Sequence, residues 1–255
     1  MSKFKIYDGS TWCDPCTQNI HILKPDDTFQ LLDVENQNVS YYDGTSWTRI
    51  FCGLQCGDII STSGGAGAYY VKFLKSQGVN RVTINFNAVG VPDCIQLLNE
   101  TKTELLKSSS YVGLNTLPPP GIYSIAEYLY NNETNTFSAT GNNESFTLYN
   151  STYYPTYNIS NIYNTGDTVY YNYLVYQCTV PISIGEIPGV SSDWLDVSID
   201  KIYLPTPNLP GVYTLVYDDN TLDEKVFWIR VIGNPTSGTA WYITGITCEN
   251  IISWY

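Results

Sequence analysis

Charge is scarce in this chain. Asp, Glu, Lys and Arg make up 14% of its 255 residues, against roughly 25% in an ordinary globular domain. A long amphipathic helix needs a charged outer face, so the shortage argues against a helical protein. Basic residues are scarcer still: 12 Lys and Arg stand against 24 Asp and Glu, a formal net charge of −12. Affinity for nucleic acid comes largely from Lys and Arg neutralising phosphates. Neither nucleic acid nor an anionic membrane surface is therefore an expected partner. No stretch approaches the roughly 18 consecutive apolar residues of a membrane span, so no membrane insertion is expected. Residues 1–12, MSKFKIYDGSTW, carry no apolar signal segment. The expectation is synthesis in a cytoplasm, with exit only by lysis or inside a particle. The Asn-x-Ser/Thr triplets at Asn38, Asn99, Asn132, Asn143, Asn150 and Asn158 then reflect Asn, Ser and Thr richness rather than glycosylation.

Histidine is nearly missing. His21 is the only one, and any Ser-His-Asp or Cys-His arrangement would have to use it. It lies between Ile20 and Ile22 in an apolar run, where a structural role fits better. No spacing singles out a carboxylate pair for glycoside hydrolysis. Gly64-Gly65-Ala66-Gly67 is followed by no Lys-Ser/Thr and is not a phosphate loop. Asp218-Asp219-Asn220 is an acidic turn without an EF-hand pattern. The chain is expected not to be an enzyme.

Aromatic residues are what it has instead: 23 Tyr, 8 Phe and 6 Trp. Hydrophobic residues reach 43%, enough for a real core. Aromatic and β-branched side chains suit pleated, half-buried surfaces. The expected fold class is all-β, with an N-terminal hairpin-repeat module, a β-sandwich and a small inserted β module. The repeat is explicit. Ile6-Tyr7-Asp8-Gly9-Ser10-Thr11-Trp12 recurs as Tyr41-Tyr42-Asp43-Gly44-Thr45-Ser46-Trp47. Asp-Gly between aromatic and β-branched residues signals a two-residue hairpin turn. Between the copies, 20–23 and 29–32 read as strands around the turn Pro25-Asp26-Asp27.

A Ser- and Gly-rich stretch at 61–68 predicts a loop or linker. Strand patterns follow at 71–74, at 81–88 with period-two alternation, at 94–98 and at 111–112. Residues 99–107 have helical propensity but no long apolar stripe. Leu117-Pro118-Pro119-Pro120-Gly121 interrupts any regular element. Residues 122–162 are rich in Tyr, Asn, Ser and Thr. Pro205, Pro207 and Pro210 precede three more strand patterns, at 212–217, 225–232 and 240–247.

Residues 157–197 form the most patterned segment. Gly166-Asp167 predicts one turn and Asn172-Tyr173 another, with Val169-Tyr170-Tyr171 and Leu174-Val175-Tyr176 as the strands between and after. Tyr163, Gly166, Asp167, Val169, Tyr171, Tyr176, Pro188 and Trp194 fall on a pattern that resembles carbohydrate-binding module families 5 and 12. Those are small chitin- and cellulose-binding β modules, and Tyr157 stands in the place of their leading Trp. Two positions differ. Tyr173 replaces a turn glycine, and Val180-Pro181 stands where the family's exposed sugar-stacking pair usually follows. Two readings stay open. Tyr163, Tyr171, Tyr176 and Trp194 form a small core that binds nothing, or the module binds sugar, with Tyr157, Tyr173 and Trp194 as the stacking residues.

The Tyr-Asp-Gly-Thr-Ser-Trp hairpin is similar to short repeats in tail-fibre and head-appendage proteins of bacteriophages, particularly those of Bacteroidetes hosts. Val82 to Ala88, Val91-Pro92-Asp93 and Ser110-Tyr111-Val112-Gly113, with Gly238-Thr239-Ala240-Trp241 and Cys248 at the end, resemble a recurrent β-sandwich of phage structural proteins. This resemblance implies a hairpin-repeat module at 1–60 and a sandwich at 61–117 plus 205–255. It implies an insertion at 118–204 that carries the module-like unit at about 157–197. Insertions enter through loops and leave close to where they entered. It further implies a virion location, other virion proteins as partners, a homo-oligomer and contact with host-surface glycans. The alternatives are a soluble carbohydrate-binding protein or accessory module of a polysaccharide-degrading system and, third, a glycosidase.

Seven cysteines remain. Cys13, Cys16, Cys52 and Cys56 lie in two close pairs, each after a Trp-ending repeat. Four thiolates so arranged could hold zinc. Disulfides and free thiols are the other two readings. Cys94, Cys178 and Cys248 read as small buried apolar residues.

Overall fold

The computed structural model describes residues 53–61, 65–89, 93–109, 111–113, 117–131, 134–150, 154–172, 174–181, 183–204, 211–236 and 240–251. It also describes the backbone of short strands before residue 53. Among these residues there is no helix, and the protein is all-β.

The N-terminal part pairs as antiparallel hairpins: β1 (Ile6–Tyr7) with β2 (Trp12–Cys13), β3 (Ile20–Leu23) with β4 (Phe29–Leu32), and β5 (Ser40–Tyr42) with β6 (Trp47–Arg49). Both copies of the repeat share one register, Tyr7 opposite Trp12 and Tyr42 opposite Trp47. Residues 8–11 and 43–46 thus separate the paired positions. The Asp-Gly turns themselves lie outside the described residues.

The other strands are β7 (Leu54–Gln55), β8 (Ala68–Lys75), β9 (Arg81–Val89), β10 (Cys94–Leu98), β11 (Leu105–Ser108), β12 (Gly121–Asn131), β13 (Thr136–Tyr149), β14 (Ile162–Tyr163), β15 (Thr168–Tyr171), β16 (Leu174–Cys178), β17 (Ser183–Ile184), β18 (Trp194–Asp196), β19 (Lys201–Tyr203), β20 (Val212–Asp218), β21 (Lys225–Ile232) and β22 (Ala240–Glu249). The large sheet runs β11-β10-β21-β8-β12-β13-β19, with β7 parallel to the second half of β8. A three-stranded sheet, β20-β9-β22, packs on one face of it. Side chains alternate across a strand, and β9 obeys this strictly. Val82, Ile84, Phe86 and Ala88 are buried, and the residues between them are not. They meet Val71 and Phe73 of β8, Ile95 and Leu97 of β10, and Phe227, Ile229 and Val231 of β21.

The central strands β8, β10 and β21 are buried on both faces. Their second face carries Tyr70, Cys94, Leu98, Trp228 and Ile232. The long β12–β13 hairpin covers it. A bulge between Ala126 and Tyr128 lets the hairpin curl. Toward its tip, Tyr128 and Phe137 pack into the sandwich core, where Tyr69 stacks on Tyr128 at 4.9 Å. Toward its base, Ile125, Phe146 and Leu148 lie over Tyr70 and Trp228 instead. Residues 99–107 are not helical: a turn tied together by the Asn99 side chain leads into β11.

Polar groups inside this second face are matched. Arg230 of β21 is buried. Its Nε donates to Gln96 Oε1 at 2.7 Å, and its NH groups reach the Glu144 carboxylate and the Ile199 carbonyl. Tyr70 donates its hydroxyl to Glu144 at 2.9 Å. A buried charge is tolerable only when paired and hydrogen-bonded in this way.

Cys56 and Cys248 form a disulfide, with Cα atoms 5.7 Å apart. The segment after Cys56 runs along the edge of β22. There Gly57 N donates to Ile246 O at 2.7 Å and Ile60 N to Ile243 O at 2.9 Å. Cys248 is therefore half-buried and bonded, not a simple apolar filler. Cys94 and Cys178 are buried free thiols.

Candidate functional site

The patterned segment folds as predicted from its turns. Thr168–Tyr171 and Leu174–Cys178 pair as an antiparallel hairpin, with Val169 opposite Tyr176, and β18 adds to β16. Gly166 takes φ +93°, which lets the Asn164–Asp167 turn close, and Asn172 takes φ +49° in the second turn. Asp167 caps its own turn by accepting from Asn164 N at 2.7 Å. β14 pairs with β17 beside this hairpin.

A separate core holds the unit together: Tyr163, Val169, Tyr176, Cys178 and Trp194. Trp194 is 6% exposed and donates Nε1–H to the Glu186 carbonyl at 2.8 Å. Tyr157 stacks on Tyr163 at 5.6 Å and meets Tyr171 and Trp194 edge-on. Tyr157 and Trp194, two of the three residues named as stacking platforms, thus pack in or against the module's own core. Trp194 keeps only a small exposed part, at the groove described below. Tyr173 lies outside the described residues. Val180 packs against the core, so the place of the family's stacking pair is filled by an inward aliphatic side chain.

The cysteine set fares similarly. Cys56 is bonded to Cys248 and is not available as a zinc thiolate. Cys16, Cys52 and the side chain of Cys13 lie outside the described residues. Among the described residues, no cluster of three His, Cys, Asp or Glu side chains could hold a metal.

A groove of about 530 Å³ opens between the module and the β10–β11 hairpin. Leu105 and Leu106 of β11 form one wall, and Leu174, Tyr176 and Trp194 form the other. Val190, Ser191, Ser192 and Asp196 complete its rim, beside Gly189. Gly189 takes φ +79°, and a Cβ there would lie 2.7 Å from the Tyr176 hydroxyl. A side chain at this position would press on that hydroxyl. Burial first, then the Asp196 and Tyr171 charges, push the Tyr176 hydroxyl up to about 12. At neutral pH it is a donor.

Asp196 faces Tyr176 across the β16–β18 pair, and its Oδ1 accepts from Ser198 N at 2.8 Å. Tyr176 and Trp194 belong to the recognised pattern. Leu105 and Leu106 do not, because nothing in a short apolar dipeptide of an edge strand announces a groove.

No protein-family model, curated protein or solved structure matches this chain. No helix among the described residues is long and apolar enough to cross a membrane.

Proposed function

We propose that the chain is a non-enzymatic structural component of a bacteriophage particle. It is a displayed appendage of the head-fibre, spike or tail-fibre type that works as a homo-oligomer among other virion proteins. Its aromatic module contacts host-surface glycans. The observation that carries this reading is how the module is mounted. It has its own core, yet leaves and re-enters the large sheet at neighbouring positions, since Leu204 N donates to Tyr149 O at 2.7 Å. A β-sandwich holding a compact unit out from one sheet edge is a display architecture. The paired Tyr-Asp-Gly…Trp hairpins and the low-charge, aromatic composition add support.

Mass spectrometry of purified particles tests it. The chain should be present in stoichiometric amounts, and its absence would sink the reading. Sedimentation of the isolated protein tests the oligomer, which a stable monomer would exclude.

A second reading, a soluble carbohydrate-binding protein, is favoured by the groove beside Tyr176. The two differ in whether the protein travels with particles.

A further inference from the structure

We propose that the open edge of β20 pairs antiparallel with β20 of a second copy of the chain, joining two three-stranded sheets into one continuous sheet. It rests on the homo-oligomer of the appendage reading and names the surface that forms it.

The sheet β20-β9-β22 has two edges. Beside β22 the chain covers its own edge, where Gly57 N and Ile60 N donate to Ile246 O and Ile243 O. Among the described residues, no strand pairs with the outer edge of β20. Ala88 N donates to Gly211 O and Asp219 N to Asn80 O, each at 2.7 Å. Odd-numbered positions of β20 therefore turn their backbone groups toward β9, and Val212, Thr214 and Val216 turn theirs outward. Such an edge is a template for another strand, and proteins usually blunt it with charge, proline or a bulge. From Val212 to Tyr217 there is no charged residue and no proline, and the register with β9 is unbroken.

A second copy fits because the edge matches itself. In an antiparallel pair centred on Thr214, Val212 lies opposite Val216 of the second copy, Thr214 opposite Thr214, and Val216 opposite Val212. Each pair exchanges both of its N–H···O bonds. Thr–Thr is a favourable cross-strand pair, and two apolar Val pairs flank it. Val212, 65% exposed, gains cover there. Just past the seam, Arg81 donates to Asp218 Oδ2 at 2.8 Å, so no unpaired charge borders it. A foreign strand is chosen through side-chain pockets beside an edge; this edge offers a match to its own sequence. So short a seam falls at the low end of interface sizes, below about 1,200 Å². The dimer should therefore dissociate on dilution.

Sedimentation velocity of the full chain across a dilution series tests the seam. The natural chain should pass from dimer to monomer. Thr214→Pro removes an N–H from the open edge and none from the pairing with β9. It should weaken the dimer by about a hundredfold. Val212→Lys with Val216→Lys sets like charges face to face and should do the same. Val212→Lys with Val216→Glu sets unlike charges opposite and should restore the dimer at low salt. A dimer that survives Thr214→Pro, one that both charge variants weaken equally, or a trimer in its place would overturn the seam and leave a homo-oligomer built through another surface. A natural chain monomeric at every concentration would overturn both the seam and the homo-oligomer. Presence in purified particles would still decide the appendage reading.

Discussion

Leu204 donates its backbone N–H to the carbonyl of Tyr149 at 2.7 Å, and the neighbouring pair Tyr149 and Tyr203 lie in register. The chain between them makes its excursion and returns to the same point of the large sheet. Tyr170 of the module stacks on Tyr203 at 4.5 Å and sets the module's footing. A unit with its own core and a narrow root should unfold without its host. Trp194→Ala removes the largest side chain of that core, a change that costs about 3–5 kcal/mol. Amide exchange should then lose protection across β15, β16 and β18 while β9 and β21 keep theirs. Loss of protection in all strands together would show that the module and sandwich unfold as one.

The disulfide between Cys56 and Cys248 spans a sequence separation of 192 residues. Closing so long a loop restricts the unfolded chain, by on the order of 5 kcal/mol in the chain-entropy model. The bond also holds the segment after the N-terminal hairpins against β22. Cys248→Ser should lower the urea midpoint by the equivalent of about 2–5 kcal/mol. Reductant should produce the same shift in the natural chain and none in the variant. Equal midpoints with and without reductant in the natural chain would show that the bond contributes nothing.

Much of the architecture was legible in the residues. Alternation in Arg81–Val89 and the turn residues Gly166, Asp167 and Asn172 act locally, so period and turn type could be read directly. The long β12–β13 hairpin was not legible. Its polar strand 136–145 has almost no apolar alternation, because most of it faces solvent, and only its pairing with β12 makes it a strand. The Cys56–Cys248 bond joins distant segments, and spacing along the chain favoured nearer partners. The direction the module's aromatics face was not legible for a related reason. An aromatic in a small unit looks the same in sequence whether it faces outward or fills the core; here Trp194 is in the core and Tyr157 packs against it.

Asp219 is buried beside two ammonium groups, accepting from Lys75 and Lys225 at 2.7 Å each. Burial pushes its carboxyl up, but hydrogen bonds from Lys225 and Lys75 outweigh that and hold it below its ordinary value. A depressed folded value means stability that is fully present above the unfolded value of about 3.9. It is lost as pH falls through the folded value. Resistance to urea should therefore fall as the pH drops below about 4. Asp219→Asn should be less stable at pH 7 and show a flatter acid limb. An acid limb identical in the variant would assign the acid sensitivity to other carboxylates.

Arg230 and Glu144 are paired inside the curled part of the large sheet, with side chains 4% and 14% exposed. Removing one member of such a pair leaves the other charged and desolvated, at about 3–5 kcal/mol. Glu144→Gln should therefore destabilise strongly, because the Arg230 guanidinium cannot lose its charge. Replacing both is a different matter. In Arg230→Met/Glu144→Leu no charge is stranded, and the new side chains join Trp228, Ile125 and Phe146, which already line that face. The double variant should recover most of the loss, so the double-mutant cycle should give a coupling of about 0.5–3 kcal/mol. Recovery should stay incomplete, since Arg230 also holds the Ile199 carbonyl and Gln96. Additive losses in the cycle would mean that the pair is not coupled and that Arg230 acts through Gln96 and Ile199 alone.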